Sequence, residues 1–238
     1  MSEIFDSQFR HTIERIHYRA DAGAAEPCKL HVVIWPTFAG LTDFEKDFAD
    51  TVAASGVAAT AVDLYGQGRN PVEPEARMEK MRLLLSEQEP LHRLQRELTD
   101  SVCHAGTDQV IIHLGFCLGG RLAIEAGLHL SDSAGAVSFH GLMSFYRAES
   151  QARVNTQTKI LVLNGYSDPL VSDEDALAAK QYWTELGMDW QFIDFGGTVH
   201  SFMLPSANAP ERGSLYHPVV AKRGYRYLAE FLKEIQTA

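Results

Sequence analysis

One stretch limits the possible folds of this chain more than any other, residues 111–121, which read Ile-Ile-His-Leu-Gly-Phe-Cys-Leu-Gly-Gly-Arg. Five largely apolar residues lead into a glycine-rich turn centred on Cys117, and helix-favouring residues 122–126 follow at once. This order predicts a strand, a sharp turn and a helix, as in a nucleophile elbow with sulfur in place of serine oxygen. Gly115 and Gly119 fit the pattern, because a side chain at either position would collide with the crossing strand and helix. On this stretch alone, a buried cysteine beside an ordinary glycine-rich turn remains the alternative.

Strands alternate with helices along the rest of the chain. Apolar runs of strand length are followed by helical periodicity, and the run at 74–104 is interrupted near Glu89-Pro90. An edge strand is also predicted within 11–19. The remaining strands are predicted at 30–35, 57–63, 111–116, 134–139, 159–165 and 189–195, and the remaining helices at 42–55, 118–126, 173–186 and 219–235. This alternation predicts one α/β domain over residues 1–238, with a doubly wound, mostly parallel sheet flanked by helices.

Composition excludes several classes of function. The formal net charge of -10 provides no basic footprint for nucleic acid or an anionic membrane. The N-terminus lacks the basic and apolar regions of a signal peptide, and three cysteines without a C-x-x-C pair fit a reducing compartment. We therefore expect a cytoplasmic protein that acts as a monomer or homodimer on a small molecule, with no nucleic-acid or membrane partner.

No cofactor or metal site is expected. The two glycines of residues 64–71 do not complete a dinucleotide-binding fingerprint, and His113 and Cys117 do not converge on a metal from a strand and a turn. The apolar stripe in the 74–104 segment, which includes Met78 and Met81, favours core packing over a lid that contacts ligand.

Polar residues with catalytic chemistry follow the predicted strands, where open α/β sheets bind their ligands. Cys117, Asp168 and His200 appear in the order nucleophile, acid, histidine that is expected of an α/β-hydrolase fold. A histidine can take the thiol proton, an acid behind it fixes the tautomer, and the positive end of the elbow helix favours thiolate. Taken singly, Asp168 could cap a turn and His200 could be a loop histidine. The three together favour a catalytic triad.

These motifs resemble those of the dienelactone hydrolase family. The similarity rests on residues 115–120, 168–171 and 199–202, and it extends to 35–40 and 63–66, so it covers most of the chain from about residue 30. The resemblance implies Cys117 as nucleophile, His200 as base and Asp168 as its orienting acid. It also implies an oxyanion hole formed by the backbone N–H groups of Phe38 and Leu118.

The chain departs from the family pattern at two positions. The family commonly has a glutamate against the thiol where this chain has Thr37, so thiol activation is expected to differ. Members that cleave dienelactone hold the substrate carboxylate with an arginine four residues after the histidine, and Leu204 stands there. A second family arginine matches Arg77 or Arg82 only loosely. These departures predict a less anionic, more hydrophobic substrate than dienelactone itself.

Four residues are candidates for substrate contact: Thr37, His140, Phe202 and Leu204. For His140, a structural role with a hydrogen bond to backbone is favoured over a substrate contact. The sequence thus predicts a hydrolase that cleaves a small ester or lactone through an acyl-cysteine at Cys117. Two alternatives are kept: hydrolysis of another electrophile, such as a thioester or an organophosphate triester, and a non-catalytic ligand-binding or redox module that retains the cysteine.

Overall fold

The alternation of strands and helices is present in the computed structural model, which describes residues 2–9, 13–23, 28–103, 108–145 and 154–237. The strands are β1 (Tyr18–Ala20), β2 (Leu30–Trp35), β3 (Ala58–Ala61), β4 (Val110–Phe116), β5 (Ser133–Phe139), β6 (Lys159–Gly165), β7 (Trp190–Phe195), β8 (Asn208–Ala209) and β9 (Ser214–Leu215). The helices are α1 (Ser2–Phe9), α2 (Asp43–Ala54), α3 (Pro74–Leu84), α4 (Gln88–Val102), α5 (Leu118–His129), α6 (Asp173–Glu185) and α7 (Pro218–Thr237). The main sheet has seven strands in the order β1-β3-β2-β4-β5-β6-β7 and is mostly parallel, which confirms the predicted fold class.

The chain divides into two compact units, residues 1–111 and 112–238. In the first unit, β2 pairs parallel with β3, and β1 pairs antiparallel with the other side of β3. Every residue of β2 is buried, as its largely apolar sequence predicts for an inner strand. Helix α2 begins at a Thr42–Glu45 capping pair and is followed by Gly56, whose φ of 92° suits only glycine.

In the second unit, β5, β6 and β7 pair parallel to one another, and α5 packs on β5. The core beneath α6 is built around Trp183, which is fully buried and stacks on Phe145 with ring centroids 5.6 Å apart. Val162 and Ile124 join the same cluster. Burial of such large apolar side chains supplies most of the driving force for folding. The polar residues that follow these strands are therefore attached to a well-packed core.

Several details differ from the sequence predictions. Helix α1 and the β8–β9 hairpin were not predicted, since both are short and depend on tertiary contacts; Phe5 and Phe9, for example, bury one face of α1. The edge strand is limited to β1, and residues 11 and 12 of the predicted segment lie outside the described residues. The break between α3 and α4 falls at 85–87, because Pro90 is tolerated in the first turn of a helix.

The organisation of the chain as a single domain stays a prediction. Within the described residues, no helix is long and apolar enough to cross a membrane.

Candidate active site

Cys117 lies in a strained turn between β4 and α5. Its φ of 55° and ψ of -118° place it outside the regions that side chains favour. A Cβ at Gly115 would lie 2.0 Å from the Gly119 carbonyl oxygen, and a Cβ at Gly120 would lie 2.6 Å from Ser138 Oγ. Gly115 is therefore required where the strand and the helix pack closely, as predicted for an elbow. Gly120 is required as well, although it was not singled out from sequence, and the role of Gly119 stays a prediction.

The elbow leaves both the thiol and the first helical N–H available. Cys117 donates its backbone N–H to the Phe139 carbonyl and remains a free, half-buried cysteine. Leu118 is the first residue of α5, where no preceding helical turn can accept its N–H. A helix N-terminus directed at a thiol also stabilises negative charge there.

Asp168 and His200 form a close buried pair. His200 Nδ1 lies 2.6 Å from Asp168 Oδ2, and only about a twentieth of either residue is exposed. Because a carboxylate accepts hydrogen bonds, Nδ1 carries the proton and Nε2 is left free for chemistry. The other carboxylate oxygen, Oδ1, accepts the Leu170 N–H at 2.9 Å. Asp168 thus both caps its turn and hydrogen-bonds the histidine, and its catalytic role stays a prediction.

Backbone hydrogen bonds fix the segment that carries His200. Its N–H donates to the Gly213 carbonyl at 2.9 Å, and its carbonyl accepts the Leu215 N–H at 3.0 Å. Ser167 donates its N–H to the Thr198 carbonyl, which joins this segment to the Asp168 turn. We refer to these main-chain bonds around His200 as the His200 clamp.

The electrostatics of the pair favour a charged histidine. Burial lowers the pKa of His200, but the negative charge of Cys117 and the hydrogen bond to Asp168 outweigh it and raise the pKa to about 10. Cys117 raises the pKa of His200 more through its charge than through a hydrogen bond. Nε2 is buried and has no partner of close hydrogen-bond geometry among the described residues, so it is available to exchange a proton with a reacting group.

His140 packs behind His200 without a hydrogen bond from its ring. The residue is fully buried at a φ of 39°, and neither ring nitrogen has a partner among the described residues. Its ring meets those of His200 and Phe202 edge-on, each at 5.1 Å between centroids. Burial first, and then the charge of His200, hold the pKa of His140 well below its ordinary value. The contacts of the His140 ring among the described residues are thus mainly with aromatic rings, and its role, structural or in substrate contact, stays a prediction.

The other two residues of the second unit that were predicted to contact substrate differ in burial. Phe202 is fully buried and packs against Phe195 and His140, so its side chain supports the histidines from within the core. Leu204 is half-buried and therefore retains some accessible apolar surface. Substrate contact by either residue stays a prediction.

Thr37 and Phe38 belong to the first unit and form a turn after β2. Thr37 is buried, and its N–H donates to Glu45 Oε1 at 3.2 Å. Arg77 donates to the Pro71 carbonyl and lies over the Phe38 ring at 5.9 Å, whereas Arg82 is exposed. Glu45 was not singled out from sequence. The Thr42-x-x-Glu45 spacing of a capping box was the available signal for it.

Within the described residues, no group of three or more histidine, cysteine, aspartate or glutamate side chains could hold a metal ion.

Comparison with known proteins identifies the family. The model of the dienelactone hydrolase family matches residues 20–236. The chain belongs to the dienelactone hydrolase family. It is a hydrolase of that family, with the α/β-hydrolase fold expected from its elbow and strand order.

Solved structures show the same fold. A dienelactone hydrolase-like promiscuous phosphotriesterase from metagenomic libraries has a TM-score of 0.85 at 24% identity, over 94% of each chain. The protein m3DLH has a TM-score of 0.83 at 28% identity, over 93% of this chain and 97% of its own. Esterase 2 of Thermogutta terrifontis, phosphoramylated by tabun, has a TM-score of 0.60 at 16% identity, over 92% of this chain and 89% of its own. No curated protein matches the sequence.

Proposed function

We propose that this family member hydrolyses small, largely apolar esters or lactones through a Cys117 thiolate. The observation that carries the proposal is the buried Asp168–His200 pair, whose free Nε2 belongs to a histidine with a pKa raised to about 10 by the Cys117 charge and the Asp168 hydrogen bond. A protonated His200 stabilises negative charge that forms on the Cys117 sulfur. It makes a nucleophile available at neutral pH without a carboxylate at Thr37.

Acylation begins when the thiolate attacks the substrate carbonyl carbon and the carbonyl π electrons move to oxygen. The resulting oxyanion accepts a hydrogen bond from a backbone N–H group, for which we propose that of Leu118 at the start of α5. The tetrahedral intermediate then collapses, the bond to the alcohol oxygen breaks, and His200 Nε2 gives its proton to the departing alkoxide. The product is an acyl-cysteine thioester.

Deacylation reverses the proton movements. Neutral His200 takes a proton from water through Nε2, and the water oxygen attacks the thioester carbon. The C–S bond then breaks, which releases the acid and restores both thiolate and imidazolium. Asp168 keeps the proton of Nδ1 in place throughout, so that Nε2 remains the exchanging atom.

The proposal is tested with Cys117→Ala and a short-chain p-nitrophenyl ester. We expect the variant to lose essentially all turnover while keeping the melting temperature of the parent, because only the sulfur is removed. Intact mass after incubation of the parent with slow esters should show an acyl adduct on Cys117. A variant that hydrolyses the ester at the parent rate would eliminate Cys117 as the nucleophile.

A second candidate, phosphotriester hydrolysis, is favoured by two proteins of the same fold, a promiscuous phosphotriesterase and an esterase phosphoramylated by tabun. A thiolate can attack phosphorus as well as an acyl carbon, so the site chemistry admits both. Diethyl p-nitrophenyl phosphate releases the same chromophore as the ester, so the leaving group is matched. A higher kcat/KM on the phosphate would favour the second candidate. Absence of turnover on both, with an oxidisable Cys117, would favour the non-catalytic redox module.

A further inference from the structure

The end of β5 holds the elbow through main-chain bonds on both sides of His140. The Phe139 carbonyl accepts the Cys117 N–H at 3.1 Å, and Leu142 donates its N–H to the Cys117 carbonyl at 3.4 Å. Between these two bonds, His140 donates its own N–H to the Leu163 carbonyl of β6 at 2.8 Å. The backbone of His140 is therefore fixed relative to both the nucleophile and the sheet, entirely within the second unit.

The His140 ring extends from this backbone to the histidine of the proposed triad. It meets the rings of His200 and Phe202 edge-on, and the Phe116 ring lies 6.0 Å away between centroids. No part of His140 is exposed. Because protein interiors are close-packed, a ring in such a place limits the movement of each ring that it contacts. The His200 ring is therefore restrained from the side on which His140 lies.

The hydrogen bond to Asp168 does not by itself fix the direction of His200 Nε2. That bond holds Nδ1, one atom of the ring, and the His200 clamp holds the main chain. The ring can still tilt about the held atom, which would move Nε2 with respect to the Cys117 sulfur. Packing against His140 opposes that tilt. One short segment thus holds Cys117 through its main chain and His200 through a side chain.

The backbone at residue 140 explains why a histidine suits this position. Its φ of 39° lies in the left-handed region, where histidine, asparagine and aspartate are several-fold enriched and bulky side chains are outliers. Of those three residue types, histidine alone carries an aromatic ring. Asparagine would accept the backbone without filling the space, and phenylalanine would fill the space on a strained backbone. Histidine meets both requirements.

The His140 ring also stays uncharged beside the imidazolium. Of the three rings that pack against it, two belong to phenylalanines, so His200 is the ionisable one among them. Burial lowers the pKa of His140 first, and the charge of His200 lowers it further. An uncharged ring restrains His200 without opposing the positive charge that stabilises a thiolate at Cys117.

We propose that His140 is a positioning residue that sets the tilt of the His200 ring, and through it the approach of Nε2 to the Cys117 sulfur. The inference rests on the proposed function and names a residue outside the triad that sets the rate at the same site. A displacement of about 1 Å in a reacting group can lower a rate by about a hundredfold. Loss of the His140 ring should therefore lower kcat and leave KM nearly unchanged, because His140 acts through His200.

Two variants separate the ring from the backbone. His140→Asn removes the ring and keeps a residue that accepts positive φ, whereas His140→Phe keeps a ring on a strained backbone. Both should melt below the parent. We expect kcat for a p-nitrophenyl ester to fall about tenfold to a hundredfold in His140→Asn and about threefold or less in His140→Phe. A kcat that falls equally in the two folded variants would overturn the inference.

The pH profile and alkylation by iodoacetamide measure the His200–Cys117 pair. Attack of the thiolate on that reagent displaces iodide, and the rate at neutral pH depends on how far the thiolate is stabilised. In His140→Asn we expect the rate, followed by peptide mass at Cys117, to fall about fivefold or more. The alkaline limb of the ester profile should also move to lower pH, because His200 loses part of the attraction that raises its pKa.

His31→Asn is the matched control. His31 is also fully buried, and its Nε2 lies 3.0 Å from Thr60 Oγ1 in the first unit. The control should melt below the parent and keep the parent kcat, alkylation rate and alkaline limb. If His140→Asn behaves like this control, the inference is overturned, whether or not His140→Phe folds.

The same measurements distinguish failure of the inference from failure of the proposed function. A parent that is alkylated at Cys117 but hydrolyses no ester would overturn the proposed function. The alkylation rates of His140→Asn and His31→Asn would then decide on their own whether His140 positions His200. A slower rate in His140→Asn alone would support that role, and equal rates would overturn it.

Discussion

Replacement of Asp168 by asparagine tests the proposed proton path most directly. Both carboxylate oxygens are used, Oδ2 by His200 Nδ1 at 2.6 Å and Oδ1 by the Leu170 N–H at 2.9 Å. An asparagine offers one oxygen and one NH₂ group. If the oxygen faces Leu170, the NH₂ group faces Nδ1 and moves the histidine proton to Nε2, where it blocks proton acceptance.

The pKa of His200 sets the size of the effect. The difference between about 10 and the ordinary value of about 6.5 corresponds to about 5 kcal/mol of preference for imidazolium. This value is an upper limit for the contribution of Asp168, because the charge of Cys117 supplies part of the preference. Loss of a few kcal/mol predicts a fall in kcat/KM of roughly a hundredfold to ten-thousandfold at neutral pH.

The pH profile gives the sign of the effect. A histidine with a raised pKa stays protonated until pH approaches that value, so the alkaline limb of the parent profile should lie near pH 10. Without Asp168 the pKa of His200 falls, and the limb should move toward lower pH. Kinetics on a p-nitrophenyl ester from pH 5 to 10.5 measure both quantities.

Asp194→Asn is a matched control for Asp168→Asn. This carboxylate is also in the second unit, where its Oδ1 accepts from Asn164 at 2.8 Å, but it has no part in the proposed site. The control should keep the parent rate and profile. An Asp168→Asn variant whose alkaline limb coincides with that of the parent would refute the reasoning about His200.

Three further variants test the packing and specificity of the site. Gly115→Ala would place a Cβ 2.0 Å from a backbone oxygen, so we expect the free energy of unfolding to fall by about 3 kcal/mol or more and the melting temperature by roughly 6–12 °C. Gly23→Ala is the control, because a Cβ there has no atom within 4 Å, and it should melt as the parent does. Because the pKa of His140 is lowered in the folded protein, the unfolded chain binds a proton there more readily, and the stability of the parent should fall as pH drops through about 6.5. Asparagine tolerates the positive φ of this position, so His140→Asn should lose less stability between pH 7 and 5 in thermal melts. Equal slopes for the two proteins would contradict this reasoning. Leu204→Arg should lower KM for an anionic ester relative to a neutral one of the same length, and an unchanged ratio would place residue 204 away from the substrate.

Features that depend on local sequence were predicted well. Three features can be recognised from a few neighbouring residues: the glycines around Cys117, the polar residues that follow β6 and β7, and the apolar run of β2. The structure has the predicted element at each of them. Glycine spacing reports backbone crowding directly, which is why the elbow could be predicted before any contact was known. Catalytic roles for the triad remain proposals that chain order supports.

Features that depend on distant partners were missed. The bond from Tyr65 to the Phe38 carbonyl joins residues 27 positions apart, and no local pattern encodes it. The packing of the His140 ring beside Phe202 and His200 likewise joins residues about 60 positions apart in sequence. Hydrogen-bond satisfaction depends on tertiary packing, which periodicity does not report.

The His200 clamp has a consequence for how new specificities could arise. The clamp holds the histidine through main-chain atoms of Gly213 and Leu215, so it does not depend on which side chains occupy the intervening loop. Pro205, Ser206, Glu211 and Arg212 in that loop are all exposed. Substitutions at these exposed positions leave the main-chain bonds to His200 in place. The segment 205–212 is therefore a natural target for varying this hydrolase in a library without displacing His200.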